Sequence, residues 1–292
     1  NAREGIYVAV AQVGSEIPGP MKIKAATIRG EDSQGMLCSE KELEISEDHD
    51  GIIELIGNPT LGKPIGEIYH FEDTIFDISL TPNRADCLSY IGLARELAAK
   101  LKRPLRALPE LSEGSYSQIK SKFQAQVSPD TGCGRIVLLE IEPFEMIGSP
   151  LWLKRSLQGS GMRSVNLVVD ITNYVMLETG QPIHAYDKNL LESKVIRVRN
   201  GKETETLTTL DGQKVSLTAQ DIIICDDQKP IGLAGVMGGK DSEVGAQTTS
   251  VVIEVAHFDQ RQIRKTAKHH GFHTEASHRF ERGIDIENIS KA

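Results

Sequence analysis

The segment SVVIEVAHF, residues 250–258, constrains the fold more than any other stretch. Val251, Val252, Ile253, Val255 and Ala256 make both faces of a strand apolar, so this strand belongs inside a layered domain with cover on each side. Glu254 sits in its middle. An unpartnered buried carboxylate is costly or takes up a proton, so Glu254 needs either a structural partner or a ligand. The strand pattern leaves both open.

A chain of 292 residues has room for roughly two domains and a sizeable core. With 39% hydrophobic and 25% charged residues it reads as an ordinary folded protein. The formal charge of −8 excludes a surface that binds nucleic acid as a general polycation, so any RNA contact must be local. Cys38, Cys87, Cys133 and Cys225 lie far apart without a CxxC pair, which argues against a disulfide framework or zinc knuckle and for a reducing, cytoplasmic setting. No apolar run reaches the roughly 18–20 residues that span a bilayer, and no basic-then-apolar signal pattern opens the chain. The start at Asn1-Ala2, without Met, reads as a piece of something longer.

Charge divides the chain: residues 1–113 hold 12 Lys+Arg against 19 Asp+Glu, whereas residues 114–292 hold 21 against 22. The break falls in PELSEGSYSQ, residues 109–118. Before it, Tyr7–Val13, Lys22–Ile28, Ile52–Leu55 and Pro64–Ile68 read as short strands of a small β-barrel or part of one. Residues 84–102 read as a helix, with Asp86 as cap or first-turn anion and Pro104 as the stop. After the break, Gly134–Ile141, Val195–Arg199, Asp221–Cys225 and Ser250–Ala256 read as strands. Pro150–Gly159, Tyr174–Glu178 and Asp259–His270 read as helices. The fold class is mixed α/β.

Chemistry has few places to sit. GLAGVMGG, residues 232–239, has glycines that allow close backbone approach, yet lacks the Lys-Ser/Thr of a phosphate loop and the GxGxxG spacing. In the 161–187 stretch, Thr172 and Asn173 interrupt an apolar run and a Gly-Gln-Pro turn presents His184. Residues 259–282 carry net +3, a phosphate-facing patch or a solvated helix face. His269 and His273 have HxxxH spacing, but Gly271 breaks the helix between them and no third ligand is near, so no metal site is assigned. Thr274 suits the cap of a following helix.

Five motifs in order, FDISLTPNRADCLSYIGLARELAA (76–99), VVDITNYVMLETGQPIHAYD (168–187), IGLAGVMGG (231–239), VVIEVAHFD (251–259) and TEASHRFERGID (274–285), resemble the β subunits of bacterial phenylalanyl-tRNA synthetases. The resemblance runs through nearly the whole chain. It implies the end of an oligonucleotide-binding-fold (OB-like), tRNA-binding-type domain over 1–70, a small helical segment over 71–108, a linker at 109–114 and an α/β editing domain over 115–292. Its implied activity is post-transfer editing: hydrolysis of tyrosine misattached to the phenylalanine tRNA, within an enzyme that joins phenylalanine to tRNA.

By the same resemblance, Glu254 and a backbone N–H at Gly235, with Ala234 beside it, receive the tyrosyl hydroxyl. His184 and Thr274 position water and ester as the catalytic pair. Thr172 and Asn173 shape the polar end, and Gly238 and Ala276 matter by being small. Arg163 is assigned to the terminal adenosine or phosphate, and Arg261, Arg264 and Lys265, in the basic 259–282 stretch, to tRNA. Tyr186 stands where the family often has Phe. No cofactor is implied for this segment; ATP and magnesium belong to the full enzyme. The implied partners are the synthetase α subunit in an α2β2 heterotetramer, the phenylalanine tRNA and tyrosine as editing ligand. The alternative is a non-catalytic scaffold and tRNA-binding segment.

Overall fold

The computed structural model describes residues 1–46, 49–69, 72–106, 121–290 and 292; the expected linker at 109–114 lies outside them. The chain forms two compact units, Asn1–Ile75 with Pro150–Arg155, and Phe76–Ser149 with Ser156–Ala292.

In the first unit, strands of two or three residues are separated by polar turns, so each finds only a single partner. β1 (Tyr7–Val8) pairs with β8 (Glu54–Leu55), and β2 (Val10–Gln12) with β7 (Gly35–Leu37). β3 (Glu16–Ile17) pairs with β4 (Met21–Lys22), and β5 (Ala26–Ile28) with β6 (Glu31–Ser33). These ribbons surround Ala9, Ala11, Ile17, Ile23, Cys38, Ile53, Leu55 and Tyr69, and no closed barrel forms among the described residues.

Pro64–Ile68 is not a strand. Ile65–Ile68 is a one-turn helix, α1, whose start is set by Pro64 at φ −54°; Ile65 and Ile68, three apart, both pack against the small core. A single turn presents the same short apolar run that a strand would.

The second unit begins with a 3₁₀ turn at Ala85–Cys87 and helix α2 (Tyr90–Leu101). Ser89, not Asp86, caps α2: its hydroxyl accepts from Gly92 N at 3.0 Å and donates to Asp86 O at 2.9 Å. The Asp86 carboxylate pairs instead with Arg84. Two larger sheets follow. One is antiparallel, β10 (Cys133–Ile141), β18 (Val251–Phe258) and β11 (Ile183–Asp187), with β18 in the centre. The other runs β17 (Met237–Gly238), β16 (Lys229–Leu233), β15 (Ile222–Asp226), β12 (Val195–Asn200) and β9 (Gln124–Val127), with only β9 and β12 parallel. A hairpin of β13 (Thr206–Thr208) and β14 (Lys214–Ser216) accompanies them.

Four further helices are α3 (Leu151–Gly159), whose residues up to Arg155 belong to the first unit, and, in the second, α4 (Leu167–Thr179), α5 (Gln260–His270) and α6 (Glu275–Phe280). α4 extends well before the expected Tyr174 because Asn166 caps it, accepting from Val169 N. α5 has the ends its sequence indicates: Asp259 accepts from Arg261 N and Gln262 N, and Gly271 closes the helix at φ 72°.

β18 is buried on both sides, as its composition requires. Val252, Ala256 and Phe258 join a large core with Ile196, Ile223 and Leu233, and Val251 and Ile253 join a smaller one with Val168, Ala185 and Val244. At about 1.5–3 kcal/mol for each fully buried large aliphatic side chain, this packing holds the strand that carries Glu254.

Candidate functional site: a cavity over the centre of β18

Period-two alternation puts Glu254 on the same face of β18 as Val252 and Ala256, and the register sets it between Leu138 of β10 and His184 of β11. His184 and Tyr186, two apart on β11, therefore share that face. Over it lies a cavity of about 530 Å³. α4 contributes Thr172 and Asn173, the turn between β16 and β17 contributes Ala234 and Gly235, β17 contributes Gly238, and the start of α6 contributes Thr274 and Ala276. Arg163 also borders the cavity, beside apolar Val236, Met237, Phe258 and Phe280. The ten residues assigned from sequence to catalysis, the pocket and the terminal adenosine thus meet in one place. Arg261, Arg264 and Lys265 do not line it; they are exposed on α5.

Glu254 is only 6% exposed and its partner is not a basic side chain: the Tyr186 hydroxyl donates to Oε2. Burial pushes the Glu254 carboxyl up to about 7, against the lowering effect of the Tyr186 hydrogen bond. Burial and the neighbouring Glu254 charge hold the Tyr186 phenol well above its ordinary value, so Tyr186 remains a donor. The same surroundings raise the Cys133 thiol to about 12. Burial lowers His184 to about 4, so its imidazole is neutral at physiological pH. That ring lies edge-on to Tyr186, with centroids 4.5 Å apart.

The polar groups at the cavity fall into two sets. Thr172 donates to Val169 O at 2.8 Å. Thr274 donates to Val236 O at 2.9 Å and accepts from Ser277 N at 3.0 Å as the cap of α6. These hydroxyl hydrogens are committed to the backbone. By contrast, among the described residues the Asn173 amide, the His184 ring nitrogens, the Arg163 guanidinium, the Gly235 N–H and Glu254 Oε1 make no protein hydrogen bond. Gly235 has φ +65° in a turn closed by Val236 N to Leu233 O at 3.0 Å. A Cβ there would stand 2.9 Å from Phe280 Cδ2 and 3.1 Å from Phe258 Cδ2, so both conformation and space call for glycine.

The sequence reading missed two supports of this site. Tyr186 stands where the resembling family often has Phe, and its hydroxyl is the internal partner of Glu254. Asp170, fully buried on α4, accepts from Ser164 Oγ and from Val165 N, which fixes the backbone beside Arg163. A carboxylate in the first turn of an apolar helix was the available signal. Among the described residues one His/Cys/carboxylate group has the spacing of a cation site, Asp86, Cys87 and Glu96, but Arg84 already pairs with both carboxylates there. No described helix is long and apolar enough to cross a membrane.

The chain is similar to the phenylalanine–tRNA ligase β subunit of Geobacter sulfurreducens, 47% identical over 292 residues, which is 100% of this chain and 36% of that protein. The Yersinia pestis β subunit is 45% identical over 286 residues, covering 98% of this chain and 36% of that protein. The chain thus spans little more than a third of the relatives it matches. A solved N-terminal fragment of the phenylalanyl-tRNA synthetase β subunit from Pyrococcus horikoshii superposes with a TM-score of 0.37 at 14% identity, covering 70% of this chain and 67% of that one, too loosely to bear on the fold. The B3/4 domain family matches residues 132–292, the segment that contains every residue lining the cavity. The chain, matched over more than half its length by that family and from end to end by these β subunits, belongs to the B3/4 domain family.

Proposed function

We propose that the cavity is an editing site that hydrolyses tyrosine misattached to the phenylalanine tRNA, inside an enzyme that ligates phenylalanine to that tRNA. The observation that carries this reading is the pairing, in one largely apolar cavity, of a buried carboxylate and an uncommitted backbone N–H at a glycine forced to positive φ. A tyrosyl phenol can donate to Glu254 and accept from Gly235 N–H. Phenylalanine leaves Glu254 Oε1 and the Gly235 N–H unpaired, at about 1–3 kcal/mol for each group. Sites built around a substrate hydroxyl reject the analogue lacking it by about 10⁴–10⁵-fold.

Hydrolysis adds a water oxygen to the ester carbonyl carbon, breaks the bond to the ribose oxygen and returns a proton to that oxygen. Neutral His184 and the Asn173 amide are the uncommitted polar groups that orient water and ester. Thr274 acts by holding Val236 and the start of α6, which sets Ala276 against the cavity. No Ser-His-Asp arrangement for a covalent intermediate is part of this reading. Arg163 receives the tRNA end, and the exposed Arg261, Arg264 and Lys265 receive phosphates farther along. The synthetase α subunit supplies ligation with ATP and magnesium.

The test follows ester loss from tyrosyl-tRNA and phenylalanyl-tRNA with the chain and with the complete α/β enzyme. Selective loss of the tyrosyl ester, abolished in Glu254→Ala, is expected. Equal loss of both esters, or an unchanged rate in Glu254→Ala, would overturn the reading and leave the scaffold role.

A further inference from the structure

We infer that Tyr186 is a positioning residue for Glu254: its phenol is a built-in first donor on Oε2, so a ligand phenol can take only the second place, on Oε1. The inference rests on the cavity's being a tyrosine-selecting site. It gives the pocket an internal tyrosine that occupies one half of the carboxylate which is to recognise the substrate's tyrosine.

The geometry is rigid. Tyr186 is 1% exposed, is one of the largest fully buried side chains, and stands in register with Val252, two residues from the Glu254 position on β18. From there the ring reaches diagonally across the strand pair, the distance at which long cross-strand side chains meet. His184 closes one edge of the ring. The hydroxyl cannot turn away without leaving a buried phenol unpaired, and it is the only hydrogen-bond donor to Glu254 among the described residues. One carboxylate oxygen is thereby fixed and the other is aimed.

The same bond sets what kind of group Glu254 is. The titratable groups facing the pair are His184 on β11, Cys133 on β10 and Cys225 on β15, with Arg163, Asp211, Glu243 and Glu275 bordering the cavity. His184 is held neutral, and burial raises both thiols, so none of these three supplies a positive charge to Glu254. Burial drives the carboxyl toward its protonated form and the Tyr186 hydroxyl alone opposes it. An ionised carboxylate is acceptor-only and makes the stronger, charge-assisted bond to a phenol; a protonated one is also a donor and discriminates less.

The test is Tyr186→Phe, which keeps the buried ring and removes only the donor. Carbon NMR of the Glu254 carboxyl in the 292-residue chain, followed against pH, should show its midpoint move up by about one unit or more. A one-unit rise from about 7 takes the ionised fraction at pH 7 from about one half to about one tenth. The ratio of tyrosyl to phenylalanyl ester loss should then fall about fivefold at pH 7 and recover as pH is raised. In the Glu254→Gln background, adding Tyr186→Phe should leave that ratio unchanged. An unmoved Glu254 midpoint, or a further fall of the ratio in the Gln background, would overturn the inference. Absence of any tyrosyl preference in the unaltered protein would overturn the editing reading instead, and the NMR midpoint separates the two failures.

Discussion

Gly238 lies against the imidazole of His184: a Cβ on Gly238 would stand 2.5 Å from His184 Cε1, 2.9 Å from its Nε2 and 3.0 Å from Leu210 Cδ1. The neutral ring fills space that a single methyl group on residue 238 would take.

Gly238→Ala should therefore move the His184 ring rather than the backbone, because the clash is with the far end of a side chain. Overpacking of this kind costs about 1–3 kcal/mol. Tyrosyl ester loss should fall at least tenfold while the chain stays folded; a rate within twofold of the original would show that His184 placement does not matter.

Glu254 and His184 should oppose each other in the pH dependence of stability. The folded value of Glu254, about 7, lies above that of an unfolded carboxyl, so its contribution is present at low pH and is lost as pH rises to 7. The folded value of His184, about 4, lies below that of free imidazole, so its contribution is present above about 6.5 and is lost as pH falls toward 4. The two slopes, each on the order of 3 kcal/mol in total, overlap between about pH 4.5 and 6.5 and largely cancel. Glu254→Gln should leave stability rising steeply with pH across that window. Urea unfolding midpoints at four or five pH values are the check, and equal slopes in the two proteins would contradict it.

Gly235→Ala places a side chain at φ +65° and within 2.9 Å of Phe280. We expect a loss of roughly 1–3 kcal/mol by denaturant unfolding, together with loss of tyrosyl selectivity as the N–H shifts.

Charge reversal of Arg261, Arg264 and Lys265 together alters an exposed face of α5 away from the cavity. Binding of tRNA should weaken, and its dependence on the logarithm of salt concentration should become shallower by up to about three units. Unfolding midpoints should stay in place, since Ile263, Thr266 and Ala267 carry the buried face.

Much of this fold is legible in the sequence because several elements carry their own boundaries. β18 announces itself by apolar residues on both faces, and α5 and α6 by Asp259, Gly271 and Thr274. The one-turn helix α1 is not legible, since four residues cannot display a helical period. The cap of α2 moved from Asp86 to Ser89 because the 3₁₀ turn before it uses Asp86 differently. The positions around the cavity follow from motif resemblance, but the assignment of hydroxyls does not. Whether Thr172 and Thr274 turn to the backbone, and whether Tyr186 reaches Glu254, depends on cross-strand register and turn geometry, which leave no local pattern.

Because β18 is the central strand, paired with β10 on one edge and β11 on the other, the Glu254 backbone amide lies inside the sheet and meets solvent only when β18 parts from a neighbour. Its hydrogen-exchange protection should approach that of global unfolding. The Leu233–Val236 turn that borders the cavity is buried too, with Val236 N donating to Leu233 O, Ala234 N to Ile222 O and Thr274 Oγ1 to Val236 O. Glu254 is thus anchored in the most enclosed strand of its sheet, and a side chain so placed keeps its position through any local opening that leaves β18 paired.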